Sequence, residues 1–284
     1  MMQKVVLITG ASTGLGYEAS LLLAEKGYKV YATMRNLAKK DRLLEAAQAK
    51  NLELFIKELD VTISESVNKC VQEILDVEGK IDILVNNAGA GFIRTTEQAS
   101  EEEIMWQFDL NLMGVIRTTK AVLPSMREQR SGHIINITSV GGLVGQPFNE
   151  FYCAAKFAVE GYTESLASYV QPHFNIKFTA IEPGGIQSEF ANNALSQFQT
   201  GGGMIDDEYK PLLEKYIGGA QNRSADGIYQ TSEEVANVIL TSIEMEEPPV
   251  RMRTSEWSER FTQLKTQADP TGKLQQEAVA QLIK

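Results

Sequence analysis

Close to its N-terminus the chain passes from a β-branched apolar run at 4–9 (KVVLIT) directly into GASTGLG, and then into a helical pattern reaching about Lys26. Strand, glycine-rich turn, helix opens a βαβ unit, and no other stretch restricts the possible folds as much. Gly10, Gly14 and Gly16 stand in T-G-x-x-x-G-x-G spacing. Such glycines permit positive φ and let backbone approach a pyrophosphate, which the N-terminus of the following helix stabilises. By itself a glycine-rich turn is only a turn, so the rest of the chain must decide.

The pattern repeats. The segments 28–35 (YKVYATMR), 52–60 (LELFIKELD), 81–89 (IDILVNNAG), 132–139 (GHIINITS) and 176–185 (IKFTAIEPGG) read as strands, with 248–254 (PPVRMRT) as a final edge strand. Helical stretches lie between them. One covers 37–49 with Asn36 as its cap, and one follows Ser64 with Val67, Val71, Ile74 and Leu75 as its buried stripe. Another runs from the capping box Ser100–Glu103 to about Arg130, a fourth covers 151–170, and a later one starts at Ser232. Alternating strands and helices with nearly continuous apolar strands predict one α/β domain. It is a doubly wound (Rossmann) parallel sheet of about seven strands with helices on both faces. The expected organisation is a dinucleotide-binding catalytic domain over 1–254, with a substrate lid at about 186–231 and a helical extension at 255–284. Three glycines at 201–203, the acidic 206–208 and a helical piece at 210–217 mark the lid.

With 284 residues and 43% hydrophobic content the chain can bury one sizeable core. A formal charge of −10 and a pI near 4.9 argue against nucleic acid or an anionic membrane as partner. Two cysteines, Cys70 and Cys153, make no disulfide framework, and His133 and His173 are too few for a histidine-rich metal site. No stretch approaches the length of a membrane span, so a cytoplasmic protein is expected.

Chemistry concentrates between Asn136 and Lys156. Tyr152 and Lys156, four apart, share one helix face, and Ser139 closes an apolar strand so that its hydroxyl can stand beside the phenol. A phenol is a poor base at neutral pH, but a neighbouring ammonium should pull its pKa down. The three could then trade a proton with an alcohol or carbonyl oxygen. A tyrosine and lysine at this spacing are more often a surface pair. Asn111, inside the long helix, needs a hydrogen-bonding reason to be buried there. A carboxylate closing the second strand would bind ribose hydroxyls. This chain has Met34 there and Arg35 next, which suits a 2′-phosphate, with Ser12 as a further donor, and so favours NADP(H) over NAD(H). Asp60 is placed at the carboxyl edge of the sheet, near an adenine.

Taken together, TGASTGLG, Asp60, NNAG at 86–89, Asn111, Ser139, Tyr152-x-x-x-Lys156 and Pro183-Gly184 resemble the short-chain dehydrogenase/reductase family over at least 4–190. ATMRN after the second strand and PPVRMR late in the chain look like its hydroxysteroid and retinol dehydrogenase branch. The resemblance implies an alcohol–carbonyl oxidoreductase. In it Tyr152 is the general acid/base, Ser139 holds the substrate oxygen, and Lys156 binds the nicotinamide ribose and lowers the tyrosine pKa. Asn111 anchors a proton-relaying water. It also implies cofactor contacts from Gly10, Ser12, Gly14, Leu15, Gly16, Arg35, Asp60, Val61, Asn87, Ala88, Gly89, Tyr152, Lys156, Pro183, Gly184, Ile186 and Ser188, the last where the family usually has threonine. A homodimer or homotetramer and a small apolar alcohol or carbonyl substrate are expected. The alternative is a non-catalytic NADP(H)-binding redox sensor, which would bind cofactor without consuming it.

Overall fold

The computed structural model describes residues 3–190, 193–194, 199 and 203–281. Its strands β1 (Val5–Ile8), β2 (Lys29–Met34), β3 (Leu54–Glu58), β4 (Ile83–Asn86), β5 (Gly132–Ile137) and β6 (Ile176–Glu182) lie where the apolar runs place them. Two short strands follow, β7 (Ile186–Gln187) and β8 (Gln230–Thr231), then β9 (Arg251–Arg253). Seven strands form one parallel sheet in the order β3-β2-β1-β4-β5-β6-β9. The order reverses between β1 and β4, and the crevice beyond the carboxyl ends of those strands is where doubly wound sheets bind ligands.

Side-chain alternation explains why the strands read as unbroken apolar runs. Val6 and Ile8 point into a core shared with α1 (Gly14–Glu25), α2 (Asp41–Ala49) and the helix Ser232–Glu244. Val5 and Leu7 point into a second core, against α3 (Ser64–Glu78), α5 (Gly114–Gln129) and α6 (Glu150–Phe174). Both faces are covered, so both phases of each strand are apolar.

Before α5, helix α4 (Glu101–Phe108) carries the expected capping box of Ser100 and Glu103. Between α4 and α5 the helix widens into a π turn, Asp109–Met113, centred on Asn111. Several caps differ from expectation. Asn36 accepts from the backbone N–H of Ala38 and closes a short 3-10 turn at Leu37–Lys39, so α2 begins only at Asp41. Ser64 is the first helical residue of α3 and caps nothing, because the cap position falls on Ile63. The helix at 232 is capped by Thr231, whose box with Glu234 is complete.

The segment after β6 is closed at its base by β7 and β8, which pair in parallel as Ile186 with Gln230 and Gln187 with Thr231. Within it a helix runs over Lys210–Ala225, longer than the expected piece at 210–217. Of the three glycines at 201–203, the first two lie outside the described residues. The tail beyond β9 forms two helices, Glu256–Thr266 and Lys273–Ala280.

Candidate active site

The site is assembled at the β1/β4 crevice by hydrogen bonds between the glycine turn and the NNAG segment. The Thr9 hydroxyl oxygen accepts from the backbone N–H groups of Asn87 and Ala88, each at 3.0 Å. The Asn87 side-chain amide donates to the carbonyls of Thr9 (2.9 Å) and Gly10 (3.0 Å). Gly10 has φ +69°, and a Cβ there would stand 2.8 Å from Ala88 Cα. Gly14, at φ +60°, faces Ser188 across the turn, its Cβ position 3.4 Å from Ser188 Cβ. Leu15 is buried in the core, and Gly16 lies against Asn87. The result is a bare, N–H-lined cradle at the N-terminus of α1, suited to a dinucleotide pyrophosphate.

Beside the cradle, Ala11 N–H donates to Thr33 O at 2.8 Å, which ties the turn to the end of β2. Ser12 follows Ala11 directly, and Arg35 stands two residues beyond Thr33. Met34 is buried, whereas Arg35 is exposed and forms no ion pair among the described residues. Asp60 sits past β3, with Oδ1 accepting from the Thr62 N–H (2.9 Å) and hydroxyl (2.6 Å). Val61 is buried, and its carbonyl accepts from Arg117 at 3.1 Å.

Across the crevice the reactive side chains meet at Gly89. A Cβ on Gly89 would stand 2.7 Å from Asn111 Oδ1 and 3.7 Å from Lys156 Nζ. Asn111 is fully buried and held by the loop: Nδ2 donates to Ala90 O (3.0 Å) and Gln107 O (3.3 Å), and Oδ1 accepts from Ala90 N–H (3.3 Å). Lys156 is buried, donates to Ile137 O at 2.8 Å and has Nζ 5.8 Å from the Tyr152 ring centroid. Ser139 accepts from Gly141 N–H at 2.9 Å and lies within reach of Tyr152. All four residues Asn111, Ser139, Tyr152 and Lys156 are therefore brought together.

Their electrostatics differ from the expected lowering of the phenol. Burial pushes Tyr152 up to about 12, and the Ser139 hydrogen bond only moderates the rise. Burial also brings Lys156 down to about 8, opposed by the charge of Glu160. Desolvation outweighs the lysine's attraction for a phenolate among the protein's own groups. Lys156 still carries its proton at neutral pH, close enough to its midpoint to exchange it.

On the substrate side, Phe190 packs edge-on against Tyr152 with ring centroids 5.9 Å apart. Pro183 O accepts from Val140 N–H at 2.9 Å, and Gly184 lies under the Trp257 ring. Ile186 packs against the core, and Ser188 Oγ accepts from Phe190 N–H at 3.3 Å. The 203–225 segment is fastened to residues 94–98 and to the loop before α6. Arg94 donates to Gly203 O (2.7 Å), Gln98 to Asp207 (2.8 Å), Tyr209 to Glu97 (2.8 Å), and Asn149 to the Tyr216 hydroxyl (3.0 Å). Thr9, Gln107 and Phe190 take part without having been singled out from the sequence. Only Thr9, directly before the first glycine, carried a signal of position.

A family model described as short chain dehydrogenase matches residues 4–198. The chain belongs to the short-chain dehydrogenase family. Among short-chain dehydrogenases it falls in the hydroxysteroid and retinol dehydrogenase branch. It is 40% identical to retinol dehydrogenase 8 of Bos taurus over 277 residues, 95% of this chain and 87% of that protein. It is 36% identical to 17-beta-hydroxysteroid dehydrogenase type 1 of Homo sapiens over 262 residues, 90% and 79% of the two chains. A solved short-chain dehydrogenase from Streptomyces avermitilis superposes with a TM-score of 0.78 at 27% identity, covering 100% of this chain and 99% of that one. An alcohol dehydrogenase from Thermococcus sibiricus, complexed with 5-hydroxy-NADP, gives 0.70 at 25% identity, covering 89% and 96%. Members of this family are oxidoreductases, which favours an enzyme over a sensor. Among the described residues no helix is long and apolar enough to cross a membrane, and no cluster of His, Cys, Asp and Glu could hold a metal.

Proposed function

We propose that this short-chain dehydrogenase is an NADP(H)-dependent oxidoreductase interconverting apolar alcohols with ketones or aldehydes. The carrying observation is the meeting of Asn111 and Lys156 at Gly89, beside Tyr152 and next to the glycine cradle. When bound, NADPH supplies a hydride to the carbonyl carbon. Ser139 hydrogen-bonds the carbonyl oxygen, and the Tyr152 hydroxyl gives that oxygen its proton as negative charge develops. Lys156 stabilises the phenolate left behind, and a water held at Asn111 passes a solvent proton back through the lysine. Oxidation runs the same transfers in reverse.

The cradle residues Gly10, Ser12, Gly14, Leu15, Gly16, Asn87, Ala88 and Gly89 would hold the cofactor's pyrophosphate and nicotinamide side. Asp60 and Val61 would hold the adenine, and Pro183, Gly184, Ile186 and Ser188 the carboxamide. Arg35, exposed past the end of β2, the strand that the Ala11–Thr33 hydrogen bond ties to the glycine turn, supports a 2′-phosphate. Phe190 against Tyr152 and the apolar lining of the 203–225 segment support an apolar substrate under a lid spanning 186–231, as do relatives named for retinol and hydroxysteroids. Exposed Met105, Met113, Phe157 and Tyr169 on the helices flanking the site support a homodimer or homotetramer. Two free, buried thiols suit a cytoplasmic setting.

Turnover of a carbonyl panel by wild type and Tyr152→Phe tests the reading. The variant should lose about two to four orders of magnitude in kcat. Activity within a few-fold of wild type would defeat it.

A further inference from the structure

Two residues just ahead of α6 give up what their own stretch of chain would prefer. Phe148 has φ +60°, a left-handed backbone that a bulky side chain rarely adopts. Asn149 holds the N-cap position of α6, and asparagine is among the best capping residues. Its side chain nevertheless caps nothing, and its backbone, at φ −121° and ψ 27°, lies away from the extended form a capping residue takes. Local rules broken side by side point to a demand from elsewhere in the fold.

That demand comes from the lid helix, Lys210–Ala225. Phe148 is buried in a small apolar cluster with Leu213, Tyr216 and Ile217 of that helix, its ring centroid 5.7 Å from that of Tyr216. The Asn149 amide donates to the Tyr216 hydroxyl oxygen at 3.0 Å and to Pro147 O at 2.9 Å. Main chain fixes both residues from the other side: Arg94 N–H donates to Phe148 O at 3.2 Å, and Cys153 N–H to Asn149 O at 2.7 Å. Cys153 in turn lies against the serine turn, its Sγ 3.4 Å from the Cβ position of Gly141, which is itself 3.3 Å from Ser139 Oγ. Tyr152 is the third residue of α6, in the first turn, where backbone N–H groups have no partner within the helix. The side chain placed to close that turn is spent on the lid helix instead.

We propose that Tyr216, on the lid helix, is a positioning residue for Tyr152, acting through Asn149 and Phe148. With the lid helix docked, the first turn of α6 is held and the phenol stays beside Ser139. With the lid helix lifted, the turn loses its outside support and the phenol its fixed place. A substrate that fits beneath the lid thus completes the site that acts on it, and a poor fit costs turnover more than binding. The inference rests on the reading of Tyr152 as general acid/base given above.

Hydrogen exchange at the Cys153 amide, followed by NMR in cofactor-free protein, tests it, because that amide opens with the first turn. Tyr216→Phe deletes only the hydroxyl. It should speed this exchange about fivefold, the net worth of one hydrogen bond, and leave the amides beyond Gly161 unchanged. Phe148→Asn keeps a residue that tolerates positive φ but loses the ring, and it should speed the exchange too. Asn149→Ser lets α6 cap itself, since serine caps well and falls short of the Tyr216 hydroxyl. In that background Tyr216→Phe should move nothing. Tyr209→Phe frees the lid only from Glu97, so it is the control and should leave Cys153 as it was. In steady-state assays Tyr216→Phe should lower kcat severalfold with the KM for cofactor unchanged. An unmoved amide or kcat in Tyr216→Phe, an equal effect of Tyr209→Phe, or the same factor in both backgrounds overturns the proposal. Exchange needs no turnover. A protein inert on every carbonyl yet showing these shifts would sink the catalytic reading and spare the coupling, and an active enzyme without them would do the opposite.

Discussion

Replacing Gly16 by alanine separates two explanations of the glycine turn, room for a ligand and room for the protein itself. A Cβ at Gly16 would stand 2.5 Å from the Asn87 side-chain nitrogen and 2.5 Å from the Gly10 carbonyl oxygen. Neither atom can retreat freely. The nitrogen donates to Thr9 O and Gly10 O, and the oxygen is main chain in a turn at positive φ. Losing those two hydrogen bonds costs about 2 kcal/mol, and forcing in the methyl about 1–2 kcal/mol more. Alanine's better helix propensity returns at most about 1 kcal/mol, leaving a net loss of about 2–3 kcal/mol. In a chain of this size that lowers Tm by roughly 3–5 °C without any cofactor present. Urea and thermal melts of ligand-free Gly16→Ala measure it. Gly161→Ala is the control: it lies within α6, nothing stands within 4 Å of its Cβ position, and it should gain about 0.5–1 kcal/mol. A Gly16→Ala protein as stable as wild type would refute the packing argument and leave the glycine to the cofactor alone.

Three other outcomes follow from the same reasoning. His133 is buried and neutral, its pKa brought down to about 3 from 6.5, so the unfolded chain binds a proton that the folded chain refuses. Stability should fall as pH drops from about 6.5 toward 3, by about 4–5 kcal/mol from this group, and acid melts of His133→Gln should show a shallower loss. Asn111→Ala leaves the Ala90 N–H without its side-chain acceptor and should cost about 1–3 kcal/mol, with kcat falling more than KM changes in steady-state assays. Arg35→Asp should weaken NADPH at least about tenfold while leaving NADH little changed in fluorescence titrations; equal effects on both would remove the 2′-phosphate contact.

The sheet and the reactive set were legible because each is written in local pattern. Runs such as ILVN and GHIINI are apolar in both phases, which only a doubly covered strand requires. The Ser100–Glu103 box marks its helix start, and Asn111 advertised itself as an asparagine where a helix has no use for one. What escaped was non-local. Ser64 has the right residue type for a cap but sits one position late, and Asn36 spends its cap on a three-residue turn. The Tyr152 shift could not be read from its spacing to Lys156, because desolvation depends on what α6 packs against. Glu160 carries no sequence sign of its burial, which comes from tertiary packing such as that of Gly142 against its Cγ.

The π turn at Asp109–Met113 reaches beyond Asn111 itself. A π turn holds one residue more than an α turn, so it rotates everything after it by about 100° relative to a regular helix. Upstream, the phase aims Gln107 and Asn111 at the Ala90 loop; downstream, it aims Val122 and Met126 at the sheet. One surplus residue lets a single rod satisfy two misaligned customers, and a shortened rod would have to abandon either its chemistry or its seat on the strands.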